Sequence, residues 1–243
     1  MARSLTQIRS LYRSNDFFSR YPPALIVIYV VTGYICIVSL YTFILGIVFR
    51  FEQERFFFPG DTADPFYELG TSFGFWGTLY FCINFILATR WRWVETLFGG
   101  LDRVYQTHQL VGKLTLTFVV LHGVILILQA LPDTLLLSTY LVPGLDISYT
   151  FGVIGLLLLT MLVIVTIWLK LPYQLWLQSH KFMGLAYVLG GLHAIILQID
   201  WYMIVLTFLG GYAWLYNLVL YKRLAPKADG RIVQYAQKHD VMN

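Results

Sequence analysis

The sequence predicts an all-α membrane protein, a bundle of six transmembrane helices. Three observations predict it. Of the 243 residues, 58% are hydrophobic and 12% charged, about half the charged share of a soluble domain. The charges gather between apolar runs such as 24–49 and 149–169, each long enough for the roughly 20 residues a helix needs to cross the hydrocarbon core. The connections also alternate in charge along the chain, which a sixfold crossing with one basic face requires.

The elements follow in order. Residues 1–21 place Leu5, Ile8, Leu11 and Tyr12 at helical spacing opposite Arg3, Arg9 and Arg13. That pattern predicts an amphipathic helix lying on the inner leaflet. Pro22 and Pro23 part it from the first span. Six spans are expected at about 24–49, 67–89, 104–130, 149–169, 174–198 and 201–221, together a membrane domain over 22–222. The first apolar run is too long for a signal-peptide core and serves as a span, so no cleavable signal is expected. The loop 49–68 is the one long outer connection, with aromatics suited to the interface. The tail, 223–243, turns polar, and "GRIVQYAQ" alternates like a first strand. It reads as the start of a further domain.

Orientation follows from Lys and Arg. Arg3, Arg9, Arg13 and Arg20 precede span one, and Arg90, Arg92 and Arg103 join spans two and three. Lys170 joins spans four and five, and Lys222, Arg223, Lys227, Arg231 and Lys238 follow span six. On the other side, Arg50 and Arg55 face Glu52, Glu54, Asp61 and Asp64, while the connections at Asp133 and Asp200 carry no Lys or Arg. Both termini are therefore expected in the cytoplasm. The net charge of +4 reports that basic face and not a nucleic-acid partner. Cys36 and Cys82 lie inside spans as small packing residues. No C-x-x-C-H, Walker or G-x-G-x-x-G stretch is present.

Four of the five histidines fall on two spans; His239 stands apart in the polar tail. "HQLVGKLTLTFVVLHGVILILQ" begins at His108 and "HKFMGLAYVLGGLHAIILQ" at His180. Both read His, three residues, Gly, an apolar stretch, Leu-His. The separations, His108 to His122 and His180 to His193, come to about 21 Å and about 20 Å of helix. Since both spans start from the same side, His108 is level with His180 and His122 with His193.

Two imidazole pairs at matched depth suit two stacked bis-His haems, of b type because no thioether motif exists. Gly112 and Gly184 each follow an inner histidine by four residues and share its face, where a missing side chain would admit a porphyrin. A lone membrane histidine is more often a packing or proton-relay residue, but packing requires neither paired depths nor a matching glycine. One zinc or copper ion cannot use ligands about 20 Å apart. A histidine-lined proton or metal transporter is the competing class, and it calls for intramembrane carboxylates or broken helices. Thirteen residues leave His193 about 140° from the face of His180, so a distortion at Gly190 and Gly191, or rotated porphyrins, is expected.

With these residues in view, the chain resembles the ferric reductase transmembrane domain family, which includes NADPH oxidases and bacterial relatives. The four-histidine spacing carries the resemblance, over about 67–222, and "WVETLFGGLDRVYQTHQLVG" (93–112) is similar to the run into the first ligand helix of bacterial members. The resemblance implies two haem b groups, the inner held by His108 and His180, the outer by His122 and His193. It implies electrons from FAD and NAD(P)H on a cytoplasmic dehydrogenase, either a further domain or a separate protein. They would pass outward to oxygen or ferric iron, across what is expected to be a bacterial inner membrane. Leu126 stands where animal NADPH oxidases carry a further histidine, and span two has no outer arginine; both weigh against oxygen. Lys113, Lys181 and Arg103 inside, and Arg50 outside, could neutralise haem propionates, though interfacial snorkelling suits them slightly better. The alternative is a stand-alone haem subunit that takes electrons from quinol or a separate flavin reductase to an outer partner protein.

Overall fold

The computed structural model describes residues 23–55, 64–131, 133–169, 171–197 and 200–220. The amphipathic helix expected over 1–21 and the tail 223–243 lie outside them, as do the side chain of Arg50, His239 and residues 56–63 of the 49–68 loop.

The described residues are helical, with no strand among them. The helices are α1 (Pro23–Arg55), α2 (Pro65–Ala88), α3 (Arg92–Phe98), α4 (Leu101–Ala130), α5 (Thr134–Leu141), α6 (Ile147–Trp168), α7 (Tyr173–Lys181), α8 (Met183–Leu197) and α9 (Trp201–Leu215). A π-helical turn, Tyr216–Leu220, extends α9. Six segments are long and apolar enough to cross a membrane: Pro23–Val48, Pro65–Ala88, Leu101–Ala130, Ile147–Trp168, Tyr173–Leu197 and Trp201–Val219. They match the expected spans to within three residues. The short helices α3 and α5 were not expected from the apolar runs, because each lies in a connection.

Helix starts at one end of the bundle are set by carboxylates. Asp64 accepts from the Phe66 N–H at 2.9 Å, with Pro65 at the first helical position. Asp133 accepts from the N–H groups of Leu135 and Leu136, and Asp146 from those of Ser148 and Tyr149. Each satisfies donors that a helix leaves unpaired in its first turn. The acidic connections thus terminate helices as well as marking one face. We call this the acidic end; the opposite, basic end carries Arg90, Arg92, Arg103 and Lys181.

Two helix pairs organise the bundle. α2 packs along α4 in the most extensive contact, α8 packs along α6, and α9 bridges α2 and α8. Membrane helices associate through small residues that let backbones approach, and the contacts here follow that rule. A methyl at Gly77 would lie 2.6 Å from Val119, and one at Gly155 would lie 3.3 Å from the Gly190 nitrogen. Tyr187 stands over Gly210, is 2% exposed, and donates its hydroxyl to the Leu206 carbonyl at 2.5 Å. Its ring meets Phe81 and Phe85 edge-on at 5.1 and 5.3 Å. α1 is peripheral. It touches α2 through Thr32 and Tyr80, whose hydroxyls are 2.7 Å apart, and exposes most of its aliphatic surface.

The fifth span is not one helix. α7 ends at Lys181 and α8 begins at Met183, with Phe182 in a turn between them. The Phe182 N–H bonds to the Ser179 carbonyl at 3.0 Å, and the Leu185 N–H to the Phe182 carbonyl at 2.9 Å. These are three-residue bonds, which wind the chain faster than an α-helix. The distortion expected at Gly190 and Gly191 is therefore eight residues earlier. Both glycines lie in regular helix, and Gly191 accommodates Thr207.

Candidate functional site

The four histidines meet in two pairs across the gap between the α2–α4 and α6–α8 units. His108 faces His180 with ring centres 6.0 Å apart, and His122 faces His193 at 6.2 Å. The first pair is nearer the basic end, the second nearer the acidic end. α4 supplies one ring to each pair; the other rings come from α7 and α8, on opposite sides of the break at Phe182. Extra winding there contributes to turning His193 toward the gap despite its thirteen-residue spacing.

Three of the rings are anchored through Nδ1 to backbone carbonyls of the neighbouring helix. His122 donates to Gly70 O at 2.7 Å, His193 to Ser148 O at 2.8 Å, and His108 to Asn84 O at 3.2 Å. An imidazole whose Nδ1 carries the donated proton keeps Nε2 as its lone-pair nitrogen, the form that binds a metal. Space for the outer rings is made by two glycines. A methyl at Gly74 would lie 2.7 Å from His122 Nδ1, and one at Gly152 would lie 2.8 Å from His193 Nδ1. Gly70/Gly74 and Ser148/Gly152 are thus equivalent devices: a carbonyl takes the ring proton, and the glycine one turn later leaves room for the ring.

A cavity of about 510 Å³ lies at the outer pair, within the range of small-molecule sites. Its walls include both outer histidines, Phe75, Leu126, Tyr149 and Leu156. Toward the acidic end a polar string borders it. Tyr149 lies 6.0 Å from His193 and 4.9 Å from Tyr140, ring centre to ring centre. Tyr140 donates to Gln129 Oε1, which in turn donates through Nε2 to Asp64, both at 3.3 Å. Burial, and then neighbouring Tyr149, push the Tyr140 phenol up to about 12. The Ser148 hydroxyl and the Tyr149 N–H hold the Asp146 carboxyl below its ordinary value.

Side chains of neighbouring helices meet both glycines singled out from sequence. Gly184 is covered by the Trp214 indole of α9, with no room for a methyl; its missing side chain serves helix packing. Gly112 lies over the Asn84 side-chain amide, 3.2 Å from where a methyl would be. Arg103 folds beside Gly99 and Lys113 is exposed. Lys181 contributes its carbonyl, which accepts the Trp214 indole N–H at 3.1 Å. The residues that sequence reasoning passed over are Gly74, Gly152, Ser148, Asn84 and Trp176. The four-residue spacing Gly70/Gly74, repeated as Ser148/Gly152 opposite the second outer histidine, is the signal that could have raised them.

Residues 73–191 match the family model described as ferric reductase like transmembrane component. The chain therefore carries a ferric reductase-like transmembrane domain. The match takes in α3 to α7, includes His108, His122 and His180, and stops two residues short of His193. No protein with a curated description matches the chain. The ferric reductase-like domain makes this chain a multi-pass membrane component of oxidoreductase type, with transmembrane electron transfer as its general activity.

Proposed function

We propose that this ferric reductase-like domain passes single electrons across the membrane through two b-type haems. The inner is held by His108 and His180, the outer by His122 and His193. The donor is a flavin and NAD(P)H dehydrogenase, as a further domain or a separate protein, at the basic end, which positive charge assigns to the cytoplasm. The acceptor at the acidic end is a small species such as oxygen or ferric iron.

The observation that carries this reading is the spacing of the two ring pairs. A metal–nitrogen bond is about 2 Å, and an imidazole nitrogen lies roughly 1.1 Å from its ring centre, so coaxial imidazoles on one iron stand about 6.2 Å apart. The pairs stand at 6.0 and 6.2 Å. Each offers two protein donors, and no group of three or more His, Cys, Asp or Glu exists among the described residues. A closed four-ligand ion site is thus not offered, whereas a macrocycle brings its own remaining donors.

Held by these four histidines, haem would supply reversible one-electron chemistry. The chain's residues do the rest. Asn84, Gly70 and Ser148 carbonyls orient three ligands and raise their basicity. Gly74 and Gly152 let the outer rings seat close to α2 and α6. Phe75, Leu126 and Leu156 give the outer cavity apolar walls.

Pyridine haemochrome assay of the purified chain tests this. About two haems are expected per chain, falling by about one in His122→Ala and by about one in His180→Ala. A wild-type protein that takes up no haem when haem supply is ample refutes the reading.

A further inference from the structure

His180 differs from the other three histidines. Its Nδ1 is buried and has no hydrogen-bond partner. The pattern of the outer half shows why. Asn84, whose carbonyl anchors His108, lies fourteen residues beyond Gly70 on α2. Fourteen residues beyond Ser148 on α6 stands Leu162, and its carbonyl accepts the Thr166 hydroxyl at 2.7 Å. The carbonyl that symmetry would offer His180 is engaged within its own helix.

Another contact stands in its place. The Trp176 indole lies parallel to the His180 imidazole, ring centres 5.1 Å apart and planes 14° from each other. The two residues are one helical turn apart on α7, where side chains at that separation meet. Tyr173 in turn stacks with Trp176, at 5.9 Å and 25°. The turn that carries His180 is itself tied down from α9, since the Trp214 indole N–H satisfies the Lys181 carbonyl at 3.1 Å. α7 ends one residue after His180, so neither a continuing α-helix nor a carbonyl sets the angle of its ring.

We propose that Trp176 is the positioning residue of His180: its indole plane sets the imidazole angle by stacking, as backbone carbonyls do by hydrogen bonding for the other three histidines. This rests on the reading of His180 as a haem ligand. Rotation of the ring about its Cβ–Cγ bond would carry Nε2 off the line to His108, and the parallel indole opposes that rotation. With no acceptor at Nδ1, His180 is also the least basic of the four donors and the one most readily displaced from iron.

The test uses the full-length chain in detergent, with Trp176→Leu, Trp176→Phe and wild type compared for haem per chain, ferric low-spin signals in electron paramagnetic resonance, and carbon monoxide uptake by the dithionite-reduced protein. The wild type is read first. Two low-spin haems without carbon monoxide uptake uphold the ligand assignment, and no haem at all overturns that assignment rather than the role of Trp176. Trp176→Leu should then lose about half of the low-spin signal, leave the outer haem intact and take up carbon monoxide at one site, because the aliphatic side chain cannot stack. Trp176→Phe should restore both low-spin haems. Three results overturn the proposal: a Leu variant like the wild type, Leu and Phe variants equally damaged, or loss of both haems in the Leu variant. The last two make Trp176 a packing residue of the bundle, not a positioner of one ring.

Discussion

Adding one methyl group at Gly74 tests whether the outer histidine is held as described. A Cβ there would lie 2.7 Å from His122 Nδ1 and 3.0 Å from Cε1, against an ordinary contact of about 3.5–4.0 Å. The ring must recede by about 1 Å, because the helix backbone carrying Gly74 cannot. Along the bond to Gly70 O, now 2.7 Å, a shift of that size passes the limit for a hydrogen bond. A buried donor left unpaired costs about 1–3 kcal/mol. At 1.4 kcal/mol per tenfold, this weakens haem binding by about 5–150-fold, overlapping the 10–100-fold typical of residues that orient metal ligands. Haem content per chain, and the rate of haem transfer to excess apo-globin, measure it. Gly74→Ala should keep the inner haem and shed the outer one within that range. Gly33→Ala, whose methyl would meet nothing within 4 Å, is the control. A Gly74→Ala protein that holds both haems as tightly as the control refutes the argument, since the ring then has slack that the geometry denies.

The remaining predictions are read by independent measurements. Gly152→Ala, with its methyl 2.8 Å from His193 Nδ1, should match Gly74→Ala in outer-haem loss; optical spectra that assign its loss to the inner site contradict the equivalence. Trp214→Phe removes the N–H that satisfies the Lys181 carbonyl, a loss of about 1–3 kcal/mol. It should lower the thermal midpoint by about 2–4 °C for each kcal/mol, with no change in midpoint as the contrary result. Asp146 has a depressed folded pKa, so its cap is fully present above the unfolded value of about 3.9 and is lost as pH falls through the folded one. Acid titration of thermal stability should show this contribution, and Asp146→Asn should remove it. Tyr140 has the opposite sign: raised to about 12, it contributes below the unfolded value of about 10, and this is lost as pH climbs through the folded one. Its phenolate absorbance, isolated as wild type minus Tyr140→Phe, should appear late in an alkaline titration. A midpoint near pH 10 contradicts the half-buried string.

Much of this arrangement was legible in the sequence. The span boundaries hold to within three residues because the cost of leaving polar backbone and charged side chains in hydrocarbon is local to each segment. The matched depths of His108 with His180 and of His122 with His193 follow from axial rise alone, which barely depends on neighbours. The angular problem was also visible: thirteen residues do not return to one face. Its location was not. Gly190 and Gly191 attracted attention as permissive residues, yet the chain turns at Phe182, where Trp214, thirty-three residues from Lys181, is available to satisfy the carbonyl that the turn exposes. No local pattern encodes a partner at that distance.

The glycines make the same distinction. Sequence spacing sets Gly112 and Gly184 on a histidine's face, but whether a macrocycle, an amide or an indole fills the space depends on which helix lies opposite. α9 brings Trp214 to Gly184 and α2 brings Asn84 to Gly112. Likewise Gly74 and Gly152 are anonymous until α4 and α8 set imidazoles against them. Composition and periodicity suffice for six spans, a basic face and two histidine levels, because solvent transfer and helical rise act on a segment by itself. Ring angle, Nδ1 partner and ligand rank belong to the tertiary structure, because each is a contact between helices far apart in sequence.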